Sequence, residues 1–172
     1  SLCFRSFGFS TYIMMAVPFL KFGHNDRQPY LHPKGLDAVR LLPPPISIVA
    51  FLGDGRCGKS LLSSTLAQGA RAGMTPQTHD AEFLFQVSDA GEPVTEGIDI
   101  CVIPKQENPN GGSACSLVIM DCEGGNNPVG QIRRIVDVMA MLSSTLIVQV
   151  VWGGFSEAQL SQIGVGLAQR DR

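Results

Sequence analysis

The residues best suited to chemistry in this chain form a short glycine-rich segment with the pattern GxxxxGKS. Its members are Gly53, Asp54, Gly55, Arg56, Cys57, Gly58, Lys59 and Ser60, with Leu61 directly after them. Glycines at this spacing let the backbone curl, so that successive N–H groups point inward at an anion. Lys59 adds a cation near the outer phosphates of a nucleotide, and the Ser60 hydroxyl suits Mg²⁺. The segment, Leu61 included, therefore predicts a site for nucleotide phosphates.

The residues on either side of this segment predict the elements that must hold it. The nearly continuous apolar run from Ile46 to Leu52 is typical of a buried parallel strand. Apolar or small residues then recur near helical spacing at Leu61, Leu62, Thr65, Leu66 and Ala70. Strand, loop and helix is the order that the phosphate-binding loop of P-loop nucleotide hydrolases requires. A glycine-rich turn with an unrelated lysine is the less favoured interpretation.

Two further motifs supply candidates for the metal and the γ-phosphate. Asp121 to Gly124 reads DxxG and follows the apolar strand Ser116–Met120 directly. Asp121 is predicted to hold the Mg²⁺ shell through water, and Gly124 lets a backbone N–H approach the γ-phosphate. Thr95, just before another predicted strand, is placed like a switch threonine that ligates Mg²⁺ only while the γ-phosphate is present. DxxG alone is more often an ordinary turn. The apolar strand directly before it and the phosphate loop earlier in the chain favour its interpretation as a functional motif.

Composition narrows the class of protein. The 172 residues are 44% hydrophobic and 16% charged, which predicts a globular chain with its own core. A net charge of −2 and the lack of a basic stripe argue against a nucleic-acid partner. Five cysteines without a CxxC pair favour neither a disulfide framework nor a zinc site, and they predict a reduced, cytoplasmic setting. Membrane involvement is left open.

Strands that alternate with helices predict an α/β fold with a mostly parallel sheet and helices on both faces. Residues 1–35 are predicted to be an N-terminal extension, in which the apolar run Phe7–Leu20 forms a surface strand or tail. The other predicted strands are Glu82–Val87, Gly97–Ile103 and Thr145–Trp152, and the other predicted helices are Pro33–Leu41, Pro128–Ser144 and Ser156–Arg170.

Taken together, the motifs resemble the guanylate-binding protein and atlastin branch of the dynamin-like large GTPases. The order is GxxRxGKS, TxGI, an apolar strand, DxEG and a helix ending in Leu142-Ser143-Ser144-Thr145, and it runs from about Leu36 to Leu160. The resemblance implies a P-loop NTPase fold that binds GTP with Mg²⁺ and hydrolyses it to GDP. It also implies a nucleotide-dependent homodimer that meets through the nucleotide face.

The resemblance assigns roles to the candidate residues. Arg56 becomes an internal arginine finger, which small GTPases borrow from a partner, and Lys59 and Thr95 join it as catalytic residues. Ser60, Thr95 and Asp121 become the metal ligands. The guanidinium of Arg56 would offset charge that develops in the transition state.

The sequence also departs from that family. Guanine is read there by an Arg-Asp pair after a later strand, whereas Arg170-Asp171 follows a helical, polar stretch and is interpreted as a coincidence. We therefore expect residues 36–172 to be a partial GTPase domain whose C-terminal strands are missing. The strand Thr145–Trp152 would then be an exposed apolar edge, which predicts poor solubility. The loop after Gly124 is also shorter than expected.

Two alternatives stay open at this point. The first is a P-loop ATPase or small-molecule kinase. A typical ATPase carries an acidic residue directly after the strand-end aspartate, but Cys122 occupies that place. A catalytically silent nucleotide-binding or scaffold module is the second alternative, and the expected loss of the base-reading strand favours it.

Overall fold

The computed structural model describes residues 15–72, 84–85, 97–105, 115–124 and 130–154, together with residues 157 and 161. The strands are β1 (Val17–Phe22), β2 (Pro29–Leu31), β3 (Ile46–Gly53), β4 (Ile98–Ile103), β5 (Ser116–Cys122) and β6 (Leu146–Val150), and the helices are α1 (Pro33–Arg40), α2 (Lys59–Ala72) and α3 (Gly130–Ser143). Most predicted elements are confirmed with shifted ends. The predicted strand at 82–87 and the predicted helix at 156–170 lie almost entirely outside the described residues.

The six strands form one mixed sheet in the order β2-β1-β4-β5-β3-β6. β3 runs parallel to both of its neighbours, β5 and β6. The pairs β1–β2, β1–β4 and β4–β5 are antiparallel, so the prediction of a mostly parallel sheet was wrong. The connection between β4 and β5 explains part of the difference, because its Pro, Asn and Gly residues suit a turn and not a crossover helix.

Helices cover both faces of the sheet, and β3 contributes to both cores. On one face, Ala50 and Leu52 pack with Val136 of α3 and Ala38 of α1. On the other face, alternate residues of β3 meet α2 in a second core, formed by Val49, Phe51, Ala67, Phe85, Cys101, Ile103 and Ile119. A strand that is buried on two sides needs apolar residues at every position, which accounts for the continuous run in its sequence.

The segment before residue 36 is continuous with the sheet. β1 lies between β2 and β4, and the Leu20 side chain is buried in the same core as α3. The boundary predicted after residue 35 therefore falls inside α1. The apolar run that was expected to be a surface strand or tail contributes an internal strand at its C-terminal end.

At the opposite end of the sheet, β6 pairs only with β3 among the described strands. Its first residue, Leu146, is 56% exposed, as expected for an edge position. Within the described part of the chain, no helix has both the length and the apolar character needed to cross a membrane.

Candidate functional site

The glycine-rich segment links the end of β3 to the start of α2, at the carboxyl ends of the parallel strands, where open α/β sheets bind their ligands. Its backbone depends on glycine at two points. Gly53 and Gly58 have φ angles of 141° and 91°, in a region that L side chains rarely adopt. A side chain at Gly53 would also run into the carbonyl oxygen of Val150. The loop shape thus follows from the glycine spacing.

Lys59, the first residue of α2, carries its charge inward. The residue is only 6% exposed, and its Nζ donates a hydrogen bond of 2.7 Å to the Asp54 carbonyl oxygen. The loop therefore wraps around the ammonium group. A cation in this place, at the positive end of a helix, is suited to bind a phosphate.

Ser60 and Asp121 meet although they are 61 residues apart in the sequence. The Ser60 hydroxyl donates a 2.7 Å hydrogen bond to Asp121 Oδ2. The parallel register of β3 and β5, which aligns Phe51 with Asp121, brings the two strand ends together. Asp121 is completely buried. A hydroxyl and a carboxylate side by side are oxygen donors of the kind that Mg²⁺ prefers.

Two of the three predicted Mg²⁺ ligands, Ser60 and Asp121, lie among the described residues, and Thr95 does not. The described residues include no group of three or more His, Cys, Asp or Glu side chains placed to hold a metal. Mg²⁺ in nucleotide sites is commonly bound through one or two carboxylates together with substrate phosphates. Ser60 and Asp121 could supply one hydroxyl and one carboxylate oxygen to a site of that kind.

Gly124 brings the second motif against the phosphate loop. A side chain at Gly124 would lie 2.7 Å from the Asp54 carbonyl oxygen and would collide with Lys59 Nζ. Gly55 faces the same point from the loop, where an added Cβ would be 3.3 Å from the Gly124 carbonyl oxygen. The two motifs therefore touch, and glycine at position 124 permits the contact.

Arg56 differs from the residues of this cluster in its exposure and its backbone conformation. Arg56 is exposed and has a φ of 63°, a left-handed conformation that is uncommon for a residue with a side chain. Thr95 lies outside the described residues. The structure thus brings together Lys59, Ser60, Asp121 and Gly124 and places Arg56 on the exposed side of the loop.

Sequence reasoning missed an ionic contact between the loop and α3. Arg133 Nη2 donates to Asp54 Oδ1 at 2.9 Å, and Arg133 Nε lies 3.7 Å from Asp137 Oδ2. Burial raises the pKa of Asp137, against the lowering effect of Arg133 and Lys59. The i,i+4 spacing of Arg133 and Asp137 was a visible signal, but nothing in the sequence indicated Asp54 as a partner.

Glu123, the third residue of the second motif, is buried. Its Oε2 accepts a 2.9 Å hydrogen bond from the Gly97 amide, and its own amide donates to the Gly97 carbonyl oxygen at 2.8 Å. Only 7% of the residue is exposed. The carboxylate therefore ties the end of β5 to the residue that precedes β4.

The two cysteines near the site differ in environment. Cys122 is 1% exposed, and burial, followed by the charges of Asp121 and Asp137, raises the pKa of its thiol well above the usual value. A neutral thiol therefore occupies the place of an ATPase acid. Cys57 is partly exposed, and its Sγ donates to the Asp54 carbonyl oxygen at 2.9 Å.

Comparison with known proteins adds no relative to this description. No protein-family model matches the chain, and a search of curated proteins finds no significant match. The chemistry of the site therefore rests on its own geometry.

Proposed function

We propose that this chain is a P-loop GTPase domain, similar to those of guanylate-binding proteins and atlastins, which binds GTP with Mg²⁺ and hydrolyses it to GDP. One observation carries the proposal. The Ser60 hydroxyl lies 2.7 Å from the Asp121 carboxylate, and the neighbouring residue Lys59 is buried. Two motifs that are distant in the sequence therefore meet at the carboxyl ends of β3 and β5.

Binding is assigned to the loop and to the start of α2. Backbone N–H groups from Gly53 to Leu61 would surround the phosphates, as the positive-φ glycines allow. Lys59 has three N–H donors, and the Asp54 carbonyl and the Cys57 sulfur, 3.9 Å away, are its neighbours in the loop. At least one donor is therefore left for a phosphate oxygen. The contact of Gly124 with Lys59 supports a role for its amide near the γ-phosphate.

Ser60 and Asp121 are the residues that would hold Mg²⁺, with Thr95 added by the family resemblance. When bound, Mg²⁺ neutralises charge on the outer phosphates. The buried position of Asp121 keeps its carboxylate fixed in orientation. The hydrogen bond from Ser60 holds the two oxygen donors next to each other before any ligand arrives.

Hydrolysis is assigned to in-line attack by water, with Arg56 offsetting the charge that develops on the phosphoryl group. Arg56 is exposed on the loop, which suits a residue that is aligned from outside. Family resemblance identifies the aligning partner as a second copy of this chain, bound through the nucleotide face. The neutral Cys122 thiol beside Asp121 argues against the water-activating acid of a P-loop ATPase.

The test is a titration with fluorescent GTP and ATP analogues in Mg²⁺, using the wild type and Lys59→Ala, followed by phosphate release from GTP. Tight GTP binding by the wild type, weakened about tenfold to a hundredfold in Lys59→Ala, together with turnover, is the expected result. Equal binding of both nucleotides would contradict guanine selectivity. Binding without turnover would favour the silent module, and no binding by the wild type would contradict the proposal as a whole.

A further inference from the structure

Arg133 connects α3 to the phosphate loop through a side-chain contact with Asp54. Its Nη2 lies 2.9 Å from Asp54 Oδ1, across 79 residues of sequence. The Arg133 side chain is 25% exposed and that of Asp54 is 50% exposed. The ion pair is thus partly shielded from solvent, and it joins the helix that follows the second motif to the first turn of the loop.

The backbone of Asp54 is where this contact reaches the binding groups. The Asp54 carbonyl oxygen accepts the 2.7 Å hydrogen bond from Lys59 Nζ and the 2.9 Å hydrogen bond from Cys57 Sγ. It also lies against Gly124 of the second motif. A change in the position of Asp54 therefore alters the surroundings of Lys59 directly.

Arg133 is itself oriented by a second carboxylate. Asp137 lies one turn further along α3, with Oδ2 3.7 Å from Arg133 Nε and a side chain that is only 12% exposed. The guanidinium is planar and uses different nitrogens for the two carboxylates. A lysine would reproduce the charge but not this two-sided arrangement.

We propose that Arg133 is a positioning residue for the phosphate loop, acting through Asp54 on Lys59. The inference rests on the proposed function, in which this loop binds nucleotide phosphates. Arg133 keeps the first turn of the loop in its binding form before the nucleotide arrives. Ordering the loop in advance reduces the entropy that binding must overcome. α3 thereby holds the loop through the contact of Arg133 with Asp54, while β3 leads directly into the loop.

The first test measures the loop without any nucleotide. Arg133→Gln and Asp54→Ala remove the two sides of the ion pair, and Arg134→Gln changes an exposed neighbour on the same helix. Cys57 reports on the loop through its alkylation rate, resolved by peptide mass spectrometry, with the exposed Cys115 as internal reference. We expect a rise of about threefold in both ion-pair variants, as for a partly exposed pair, and no change in Arg134→Gln.

A double variant and a nucleotide titration complete the test. Arg133→Gln combined with Asp54→Ala should alkylate no faster than either single variant, since both remove the same contact. Affinity for a fluorescent GTP analogue with Mg²⁺ should fall by about threefold in each, and Arg133→Lys should recover part of it. Asp54→Ala keeps the test valid if Arg133→Gln does not fold, because Asp54 is half-exposed.

The outcomes separate the two proposals. If Arg133→Gln and Asp54→Ala match Arg134→Gln in Cys57 alkylation and in affinity, the positioning role is wrong. If the wild type binds no nucleotide but the alkylation rates differ as expected, the proposed function fails and the support of the loop by Arg133 stands.

Discussion

Two parts of the glycine-rich loop differ in how their side chains are held. At the start of α2, Lys59 and Ser60 are held by hydrogen bonds to Asp54 and Asp121, and Lys59 is buried. In the middle of the loop, Arg56 is exposed and adopts a left-handed backbone conformation. The fold therefore orders the groups proposed for binding, whereas the cation proposed for catalysis is exposed. Binding and turnover should therefore be separable by mutation.

The largest effect is expected at the exposed part. Arg56→Ala should lower the rate of GTP hydrolysis by about a thousandfold, as for the loss of an arginine finger, because its side chain is proposed to offset the charge that develops in the transition state. Affinity for a GTP analogue should stay within about twofold, because the phosphate contacts are proposed for Lys59 and the backbone N–H groups of the loop, which the substitution leaves in place. Phosphate release and analogue titration measure the two quantities. Arg134→Ala, at an exposed position on α3, is the control, and equal turnover in both variants would remove Arg56 from the mechanism.

The buried part should respond in affinity. Lys59→Ala removes a charged donor next to the phosphates, and a hydrogen bond to a charged group is worth about 1.5–3 kcal/mol. We expect the dissociation constant of the GTP analogue to rise by about tenfold to a hundredfold. A circular dichroism melt checks that the variant is folded. If Arg56→Ala lost affinity and Lys59→Ala kept it, the assignment of binding to Lys59 and of turnover to Arg56 would be wrong.

The contact between the motifs can be broken by one methyl group. Gly124→Ala places a Cβ against Lys59 Nζ and 2.7 Å from the Asp54 carbonyl oxygen, so the buried part must shift. Overpacking of this kind costs about 1–3 kcal/mol, and we expect analogue affinity to fall by about tenfold. Gly154→Ala is the matched control, because its Cβ would meet nothing within 4 Å. If Gly124→Ala and Gly154→Ala bind the analogue with equal affinity, the close contact between the two motifs is not needed for binding.

The smallest effect is expected in the pH dependence of stability, and it comes from the Asp137 carboxylate on α3. Burial raises the pKa of Asp137 in the folded protein above its ordinary value of 3.8. The folded state then holds a proton that the unfolded state releases, so the free energy of unfolding falls as the pH rises from that value through the raised pKa. Asp137→Asn should flatten this decline in urea unfolding across that window, whereas the exposed Asp37→Asn should leave it unchanged. If the free energy of unfolding of Asp137→Asn falls with the same slope as that of the wild type, groups other than Asp137 cause the decline.

The buried part was predictable because local patterns determine it. Ser60 directly follows Lys59 in the loop motif after β3, and Asp121 is the next-to-last residue of β5. The parallel pairing of β3 and β5 aligns the carboxyl ends of the two strands, which brings both residues to one place. The contact of Asp54 with Arg133 was not predictable, since a charged residue on a helix surface is ordinarily solvated. Glu123 was equally hidden, because its partner is a backbone amide.

The positions of most strands were predicted from the sequence, but the directions in which neighbouring strands run were not. Periodicity locates a strand without stating which neighbour it pairs with or which way it runs. The apolar run Phe7–Leu20 was predicted to be a surface strand or tail, yet Val17 and Leu20 pair with β4 inside the sheet. Those pairings are long-range contacts, which alternation of strands and helices alone does not specify.

β3 precedes in the sequence both strands that it pairs with, so its pairings join distant parts of the chain. Ile48 and Thr145 exchange hydrogen bonds of 2.8 and 3.0 Å although they are 97 residues apart. Contacts between distant residues form late, because closing a long chain segment costs entropy before any contact repays it. A chain leaving the ribosome therefore displays its glycine loop well before the strands that flank β3 exist. The candidate site, which includes Asp121 and Gly124, is complete only after β5 and the residues that follow it have been synthesised.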